Sequence, residues 1–306
     1  MNFFLLFKDP RRVFTSCLIR YGSFIPDKIY LKLLYHLLMG HKLNLDKPQA
    51  FTEKIQWLKL YDRNPDYTSL VDKFAVKKIV GGIIGNEYII PTLGVWDNVD
   101  DIEWDTLPNQ FVLKTIHGGG SGGVVICKDK SNFDKEAAKN KLKRALKSCI
   151  YKSFREWPYK NVPRKIIAEK FLSLDANHDI PDFKWYCFNG EPVYCQVIRD
   201  RRTNETIDFY DINWSHQPFS GLFNRHINIS SGGETMPIPQ NLRLQIDIAK
   251  QLSHGIPFCR VDLYEVEGRT YFGEITLYPA SGFGEFKPYE WDHKIGKLLN
   301  TTSIMK

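Results

Sequence analysis

A chain of 306 residues, 43% of them hydrophobic, can bury a sizeable core and fold as one large or two medium domains. Its formal net charge of +7 is moderate for that length, and no run approaches the roughly 18 apolar residues of a bilayer-spanning helix. Six cysteines, widely spaced and without a C-x-x-C pair, argue for buried reduced thiols and against a disulfide framework or zinc site.

The opening Met1-Asn-Phe-Phe-Leu-Leu-Phe7 lacks a basic leader and a small-residue cleavage site, so a cytoplasmic location is expected. From about Pro26 to Leu60 the period is helical. Ile29, Leu33, Leu34, Leu37 and Leu38 form one apolar stripe, and Phe51, Ile55, Leu58 and Leu60 begin another after the Asp46-Lys-Pro48 break. Past the Asn64-Pro65 turn, Ser69-Leu-Val-Asp72 resembles a capping box and predicts a helix through Val80, ended by Gly81-Gly82. Tyr88-Ile-Ile-Pro91 and Leu93-Gly-Val-Trp96 predict short strands or extended links.

Phe111-Val-Leu-Lys114-Thr-Ile-His117-Gly-Gly-Gly-Ser121-Gly-Gly-Val124-Val-Ile-Cys127 reads as a strand, a glycine loop and a returning strand. Glycines leave backbone N–H groups free to close around an anion, and Lys114 adds a charge near a phosphate. A nucleotide triphosphate is the ligand this pattern suggests. Gly118, Gly120 and Gly123 also match G-x-G-x-x-G, but the dinucleotide fingerprint must open a helix, and Val124-Val-Ile-Cys127 has strand character. No Gly-Lys-Ser/Thr follows the cluster, which removes a Walker loop. H-R-D and D-F-G are both missing, which removes a protein kinase. A plain glycine-rich hairpin turn is the remaining alternative.

Between Lys135 and Lys165, Lys139, Lys141, Lys143, Arg144, Lys147, Lys152 and Arg155 punctuate a helical pattern. They form either a solvated face or a surface for a polyanion such as an acidic polysaccharide or an anionic membrane leaflet. No aromatic-basic module points to nucleic acid. Lys165 to Leu172 predicts a strand. Further strands follow at Phe183–Phe188, an Asn189-Gly190 turn, Val193–Arg199, Phe258–Val266, a Glu267-Gly268 turn and Thr270–Leu277, with one helix from about Gln240 to Ser253. In the last hairpin, strand alternation puts Arg260 and Asp262 on one face and Glu274 and Thr276 likewise, so two carboxylates can meet across the ladder. Such a pair repels unless a cation joins it, and magnesium is characteristically held by one or two carboxylates plus substrate phosphates. The alternative is a pair of strand carboxylates neutralised by lysines.

Glycine loop with upstream lysine, Glu169-Lys-Phe-Leu172, then Arg260-x-Asp262 followed by Glu274: in that order the chain resembles the ATP-grasp superfamily from about Val71 to Phe286. It is more similar still to the teichuronopeptide-biosynthesis-type (TupA-like) ATP-grasp proteins of bacterial surface-polysaccharide loci. Phe51-Thr-Glu-Lys-Ile-Gln-Trp-Leu-Lys-Leu-Tyr61, Asp72-Lys73, Tyr186-Cys-Phe-Asn-Gly190 and Gly273-Glu-Ile-Thr276 carry that likeness.

The resemblance implies an α+β ATP-grasp fold whose two α+β subdomains grip ATP, preceded by a helical region. The boundaries are 1–66 for the helices and 67–306 for the ATP-grasp domain, divided at about 67–172 and 173–306. It implies that Lys114 and Lys73 contact phosphates, that Gly119, Gly120, Ser121 and Gly122 close over them, and that Lys184 points at them. Glu169, Lys170, Phe171 and Leu172 would form the adenine hinge, Asp175 would reach the ribose, and Asp262, Glu274 and Thr276 would hold Mg2+. Thr276 stands where D-alanyl-D-alanine ligases have asparagine, and a hydroxyl is a poorer metal ligand. Arg260 would stabilise the reacting acyl centre.

The implied reaction activates a carboxylate as an acyl phosphate, from which an amine displaces phosphate, with ATP and Mg2+ as cofactors. The surface-polysaccharide context suggests a uronic acid as the carboxylate and an amino acid or other amine as its partner. A glycosyltransferase is one alternative, although the chain has no Asp-x-Asp; a nucleotide-binding scaffold without turnover is another. Arg199, Arg201 and Arg202 are candidates to grip an acidic substrate, Ser281-Gly282 is a candidate to line the acceptor site, and His117 is the one histidine beside the loop.

Overall fold

A computed structural model of the chain describes residues 10–172, 180–199, 205–223 and 236–301. Helices fill the first part: α1 (Pro10–Tyr21), α2 (Asp27–Met39), α3 (Phe51–Tyr61), α4 (Tyr67–Val71) and α5 (Ala75–Ile84). On α2 the inward face is Tyr30, Leu31, Leu34, Tyr35 and Met39, whereas Ile29 and Leu33 are 54% and 48% exposed. The helix is therefore turned away from the all-aliphatic stripe. Its tyrosines go inside because each hydroxyl finds a partner, Tyr30 donating to Ser153 O at 2.8 Å and Tyr35 meeting Thr52 Oγ1 at 2.8 Å.

The single helix expected from Ser69 to Val80 is two. The chain breaks at Asp72, whose carboxylate accepts from the N–H groups of Phe74 and Ala75 and so starts α5. Gly81 and Gly82 lie inside α5, which ends at Gly85 with φ of 109°. Tyr88–Pro91 makes no strand of its own, only an isolated bridge from Ile89 to Phe272.

The first sheet contains β1 (Thr92–Trp96), β2 (Phe111–Thr115), β3 (Val124–Cys127) and β4 (Ile166–Lys170) in the order β1-β4-β2-β3, all pairs antiparallel. The expected glycine hairpin is β2–β3, with Lys114 opposite Val124. Helices α6 (Lys135–Leu146) and α7 (Ile150–Phe154) follow β3. The second sheet joins β5 (Asp182–Phe188), β6 (Glu191–Arg199), β7 (Thr206–Asp211), β9 (Phe258–Val266) and β10 (Arg269–Thr276) in the order β10-β9-β5-β6-β7. Its tight turns carry positive φ at Asn189-Gly190 and Glu267-Gly268, the conformation that two-residue hairpins require. Helix α8 (Leu242–Ser253) lies against this sheet, a short pair joins β8 (Ser220–Phe223) to β11 (Glu285–Lys287), and α9 (Glu290–Gly296) closes the fold.

Two apolar clusters form the core. The smaller lies around β2–β3 and α6, with Phe111, Leu113 and Leu142 fully buried. The larger unites α2–α5 with the five-stranded sheet, and α3 is tied to α9 where Thr52 Oγ1 donates to Asp292 at 2.6 Å. Four of the cysteines, Cys127, Cys187, Cys195 and Cys259, are buried in strands, and all six are free.

Candidate active site

Alternation along β2 turns Phe111, Leu113 and Thr115 inward and Lys114 to the other face. Glu169 of β4 lies opposite Val112, one diagonal step from Lys114 on the same face. Its two carboxylate oxygens divide between two lysines. Lys114 Nζ is 2.6 Å from Oε2, and Lys77 Nζ of α5 is 2.5 Å from Oε1. Lys77 also donates to Ile90 O at 2.6 Å, which ties α5 to the start of β1.

The last hairpin supplies a second cluster. Glu274 is paired in register with Asp262, Thr276 with Arg260, and Lys184 of β5 with Asp262 from the other side. Arg260 holds Asp262 through two bonds, Nε to Oδ1 at 2.6 Å and Nη2 to Oδ2 at 2.7 Å, while Lys184 contacts Oδ2. Glu274 receives Lys73 Nζ at 3.3 Å and Arg260 Nη2 at 3.4 Å, and Thr276 donates to it at 3.3 Å. The two carboxylates do meet across the ladder, and cationic side chains stand around them. Their exposure differs: the Asp262 side chain is 2% exposed, that of Glu274 34%.

Lys73 connects this cluster to the glycine loop, since its ammonium also donates to Gly118 O at 2.7 Å. A Cβ added at Gly118 or Gly123 would lie 2.4 Å from Thr115 Oγ1, so these two glycines close the loop tightly over β2. Gly119, Gly120, Ser121 and Gly122 are exposed; Gly120 has φ of 63°, and a Cβ at Gly120 or Gly122 would meet nothing within 4 Å. The loop is thus anchored at both ends and open in the middle.

The electrostatics follow from burial opposed by opposite charge. Desolvation works against the carboxylates of Glu169 and Glu274, but Lys114 and Lys77 more than offset it for the first, and Lys73, Arg260 and Lys184 for the second. Both carboxyls are held below their ordinary range, Glu274 far below. Burial likewise opposes the charged form of Lys114, yet Glu169, with Glu274 and Asp182 further off, raises its pKa. For Lys77 burial wins and the pKa falls.

Hard oxygens of two carboxylates and a hydroxyl suit magnesium, with water and nucleotide phosphates completing the shell. Among the described residues no group of three or more His, Cys, Asp or Glu is gathered for a metal. Both oxygens of Asp262 are engaged by Arg260 and Lys184, so Glu274 is the carboxylate more open to an ion. The residues fit an ion held jointly with its ligand and do not form an all-protein cage.

Other expected residues fall as follows. Lys170 donates its N–H to Pro91 O at 3.0 Å, and Phe171 and Leu172 follow it half-buried. Arg199 pairs with Asp208 at 3.1 Å. His117 is buried, and desolvation lowers its pKa. Asp175, Arg201 and Arg202 lie outside the described residues.

The TupA-like ATP-grasp family model matches residues 53–300. The chain belongs to that family. Its fold is accordingly an α+β ATP-grasp fold. No curated protein matches it. Similar solved structures include D-alanine–D-alanine ligase from Bacillus anthracis complexed with ATP (14% identity, TM-score 0.38, 86% of this chain and 70% of that one). The enzyme of the same name from Helicobacter pylori has 13% identity and a TM-score of 0.41, over 83% and 70% of the two chains. L-amino acid ligase from Bacillus licheniformis has 12% identity and a TM-score of 0.42, over 85% of this chain and 55% of its own. Values this low transfer no property of those enzymes.

Beside the charged site of this ATP-grasp protein lies a further charged group that sequence reading missed. Lys59 of α3 is fully buried, and its ammonium donates to Ser281 O at 2.6 Å, Phe154 O at 2.9 Å and Gln56 Oε1 at 3.0 Å. Buried Glu156 accepts from Ser281 Oγ at 2.5 Å. The bonded segment is Pro279–Gly282, directly past β10, where Ala280 and Ser281 have φ of 47° and 52°. Burial lowers the pKa of Lys59 and raises that of Glu156, each opposed by the other's charge. The Ile55-x-x-x-Lys59 spacing on an apolar helix face was the only available signal. Lys77, four residues after Lys73, was likewise detectable only by spacing.

Proposed function

We propose that the chain forms an amide between a uronic acid of a bacterial surface polysaccharide or its precursor and an amino acid or other amine, at the expense of ATP. The observation that carries the reading is the gathering of Lys73, Lys114, Lys77, Arg260 and Lys184 about Glu169, Glu274 and Asp262, joined through Lys73 to an anchored glycine loop with an open middle. An anion entering there meets backbone N–H groups and ammonium groups already ordered by Glu169, Glu274 and Asp262, so little reorganisation is needed.

In this reading Gly119, Gly120, Ser121 and Gly122 close over the phosphates, and Lys73 and Lys114 neutralise them. Lys184 adds its charge on exchanging Asp262 for a phosphate oxygen. Glu169, Lys170, Phe171 and Leu172 form the hinge that meets adenine, through backbone groups other than the Lys170 N–H, which Pro91 O already takes. Glu274 and Asp262, with Thr276 more weakly, would hold a magnesium ion, which when bound neutralises phosphate charge. The substrate carboxylate attacks the γ-phosphorus, the bond to the β-phosphate oxygen breaks, and ADP leaves. The amine then adds to the acyl carbon of the acyl phosphate, Arg260 steadies the developing oxyanion, and inorganic phosphate departs as the amine loses its proton. The boundaries 1–66, 67–172 and 173–306 belong to the same proposal, as does a cytoplasmic location.

The test is incubation of the purified chain with magnesium-ATP, glucuronic-acid-containing acceptors and a pool of amino acids and amines. ADP and phosphate should appear only when acid and amine are both present, with a product mass corresponding to an amide. Untouched ATP with consumption of a nucleotide sugar would replace this reading with a glycosyltransferase, and nucleotide binding without turnover would leave a scaffold.

A further inference from the structure

The amino-terminal helices carry a feature that the ligase reading does not use. Helix α1 buries none of its residues. Of the thirteen large hydrophobic residues exposed among the described residues, five lie between positions 14 and 33: Phe14, Tyr21, Phe24, Ile29 and Leu33. No other stretch of this length among the described residues exposes as many large hydrophobic side chains, and exposed apolar surface of this kind marks interaction sites. Phe14 and Tyr21 are seven residues apart on α1, hence on one face. Ile29 and Leu33 are four apart on α2, to which α1 packs.

The most exposed of them is Phe24, at 84%, and it is held out by design of the fold. It ends the Gly22–Phe24 turn, whose flanking carbonyls, Gly22 O and Ile25 O, both accept from Arg155 Nη2, at 2.8 and 3.2 Å. That guanidinium is buried, stacks 3.7 Å from the Tyr30 ring and pairs with Asp27 at 3.0 Å. A buried arginine therefore fixes a turn whose tip is a solvent-exposed phenylalanine.

Charge identifies the occupant. From residue 10 to residue 39 the sequence has five basic residues, Arg11, Arg12, Arg20, Lys28 and Lys32, all exposed, and one acidic residue, Asp27, which Arg155 and Arg63 already neutralise. A second copy of the chain would bring the same positive face against itself, which disfavours a two-fold contact here. An exposed aromatic turn between two helices that carry exposed arginines and lysines matches instead the boundary between headgroups and acyl chains of an anionic bilayer. The run from Lys135 to Lys165 is a poorer candidate: Lys143 pairs with Asp100, Lys139 with Glu136, and Arg155 is inside.

We propose that the face formed by α1, the Gly22–Phe24 turn and the outer side of α2 docks on anionic lipid bilayers, with Phe14, Tyr21 and Phe24 entering the interface. The proposal is independent of the ligase assignment.

Sedimentation of the full chain with phosphatidylcholine vesicles and with vesicles rich in phosphatidylglycerol tests it. The chain should bind the anionic vesicles, bind the neutral ones at least tenfold more weakly, and dissociate as salt rises. Tyr21→Ser with Phe24→Ser should lower the partition coefficient about tenfold or more, and Arg11→Glu with Arg12→Glu and Arg20→Glu should abolish binding. Because the substituted side chains are all exposed, both variants should retain the wild-type thermal midpoint and circular dichroism. Equal binding to both vesicle types, no binding to either, or full binding by both variants would overturn the proposal. Self-association lost in these variants, without vesicle binding, would assign the face to a second copy.

Discussion

Two clusters of lysine and glutamate adjoin in this molecule and differ in what surrounds them. Around the glycine loop, Lys73, Lys114 and Arg260 are ordered by Glu169, Glu274 and Asp262, and Glu274 remains one-third exposed. A step further in, Lys59 and Glu156 are closed off, and Lys59 spends every proton of its ammonium on Ser281 O, Phe154 O and Gln56. The first arrangement has charge to offer an incoming ligand. The second has none to spare and holds a loop of left-handed residues in place. Residue type therefore does not separate a binding cluster from a structural one; access and the saturation of hydrogen bonds do.

Substitutions should separate the two clusters sharply. Glu274→Gln keeps the shape and removes the charge facing the opening, so turnover should fall by at least about a hundredfold with the fold retained, as read by ADP release and by the thermal midpoint. Full activity in that variant would remove Glu274 from the reaction. Lys59→Met strikes the closed cluster and leaves Glu156 buried without its cation, so stability should fall by about 3–5 kcal/mol in urea unfolding. Adding Glu156→Gln to Lys59→Met should restore part of that loss; no restoration would mean that the two charges are not coupled.

Acid should act on the open cluster. The carboxyls of Glu169 and Glu274 titrate below the ordinary range in the folded chain, so the unfolded chain binds more protons as acid reaches that range. Their contribution is complete above about pH 4.3, the unfolded value, and is lost as the pH falls through the folded values. The acid limb of a midpoint-against-pH curve should flatten in Glu169→Gln, and an unchanged limb would count against the Lys77–Glu169–Lys114 triad. The smallest effect is expected for Ser281→Ala, which removes one hydrogen bond to a buried carboxylate and should cost about 1.5–3 kcal/mol.

Much of this architecture was legible locally. Asn189-Gly190 and Glu267-Gly268 announced their hairpins, the glycine run announced β2–β3, and alternation left Asp262 and Glu274 able to meet, while the observed register is what sets them opposite. The failures have physical causes. Tyrosines counted as polar hid the true inner face of α2, because burial of their hydroxyls depends on Ser153 and Thr52, far away in sequence. Strands β8 and β11 are short, and only their mutual pairing, about sixty residues apart, makes them strands. That Lys184 also meets Asp262 emerges only from the β5–β9 register. Lys59 resembles any helix lysine until the loop past β10 folds over it.

The central claim is that the site at the glycine loop transfers a phosphoryl group to a substrate carboxylate before an amine enters. Oxygen-18 in the carboxylate of a glucuronic-acid acceptor tests it most directly, with mass analysis of the phosphate released during amide formation. The account predicts one labelled oxygen in that phosphate, carried over through the acyl phosphate. Phosphate without label, formed while the amide accumulates, would contradict it.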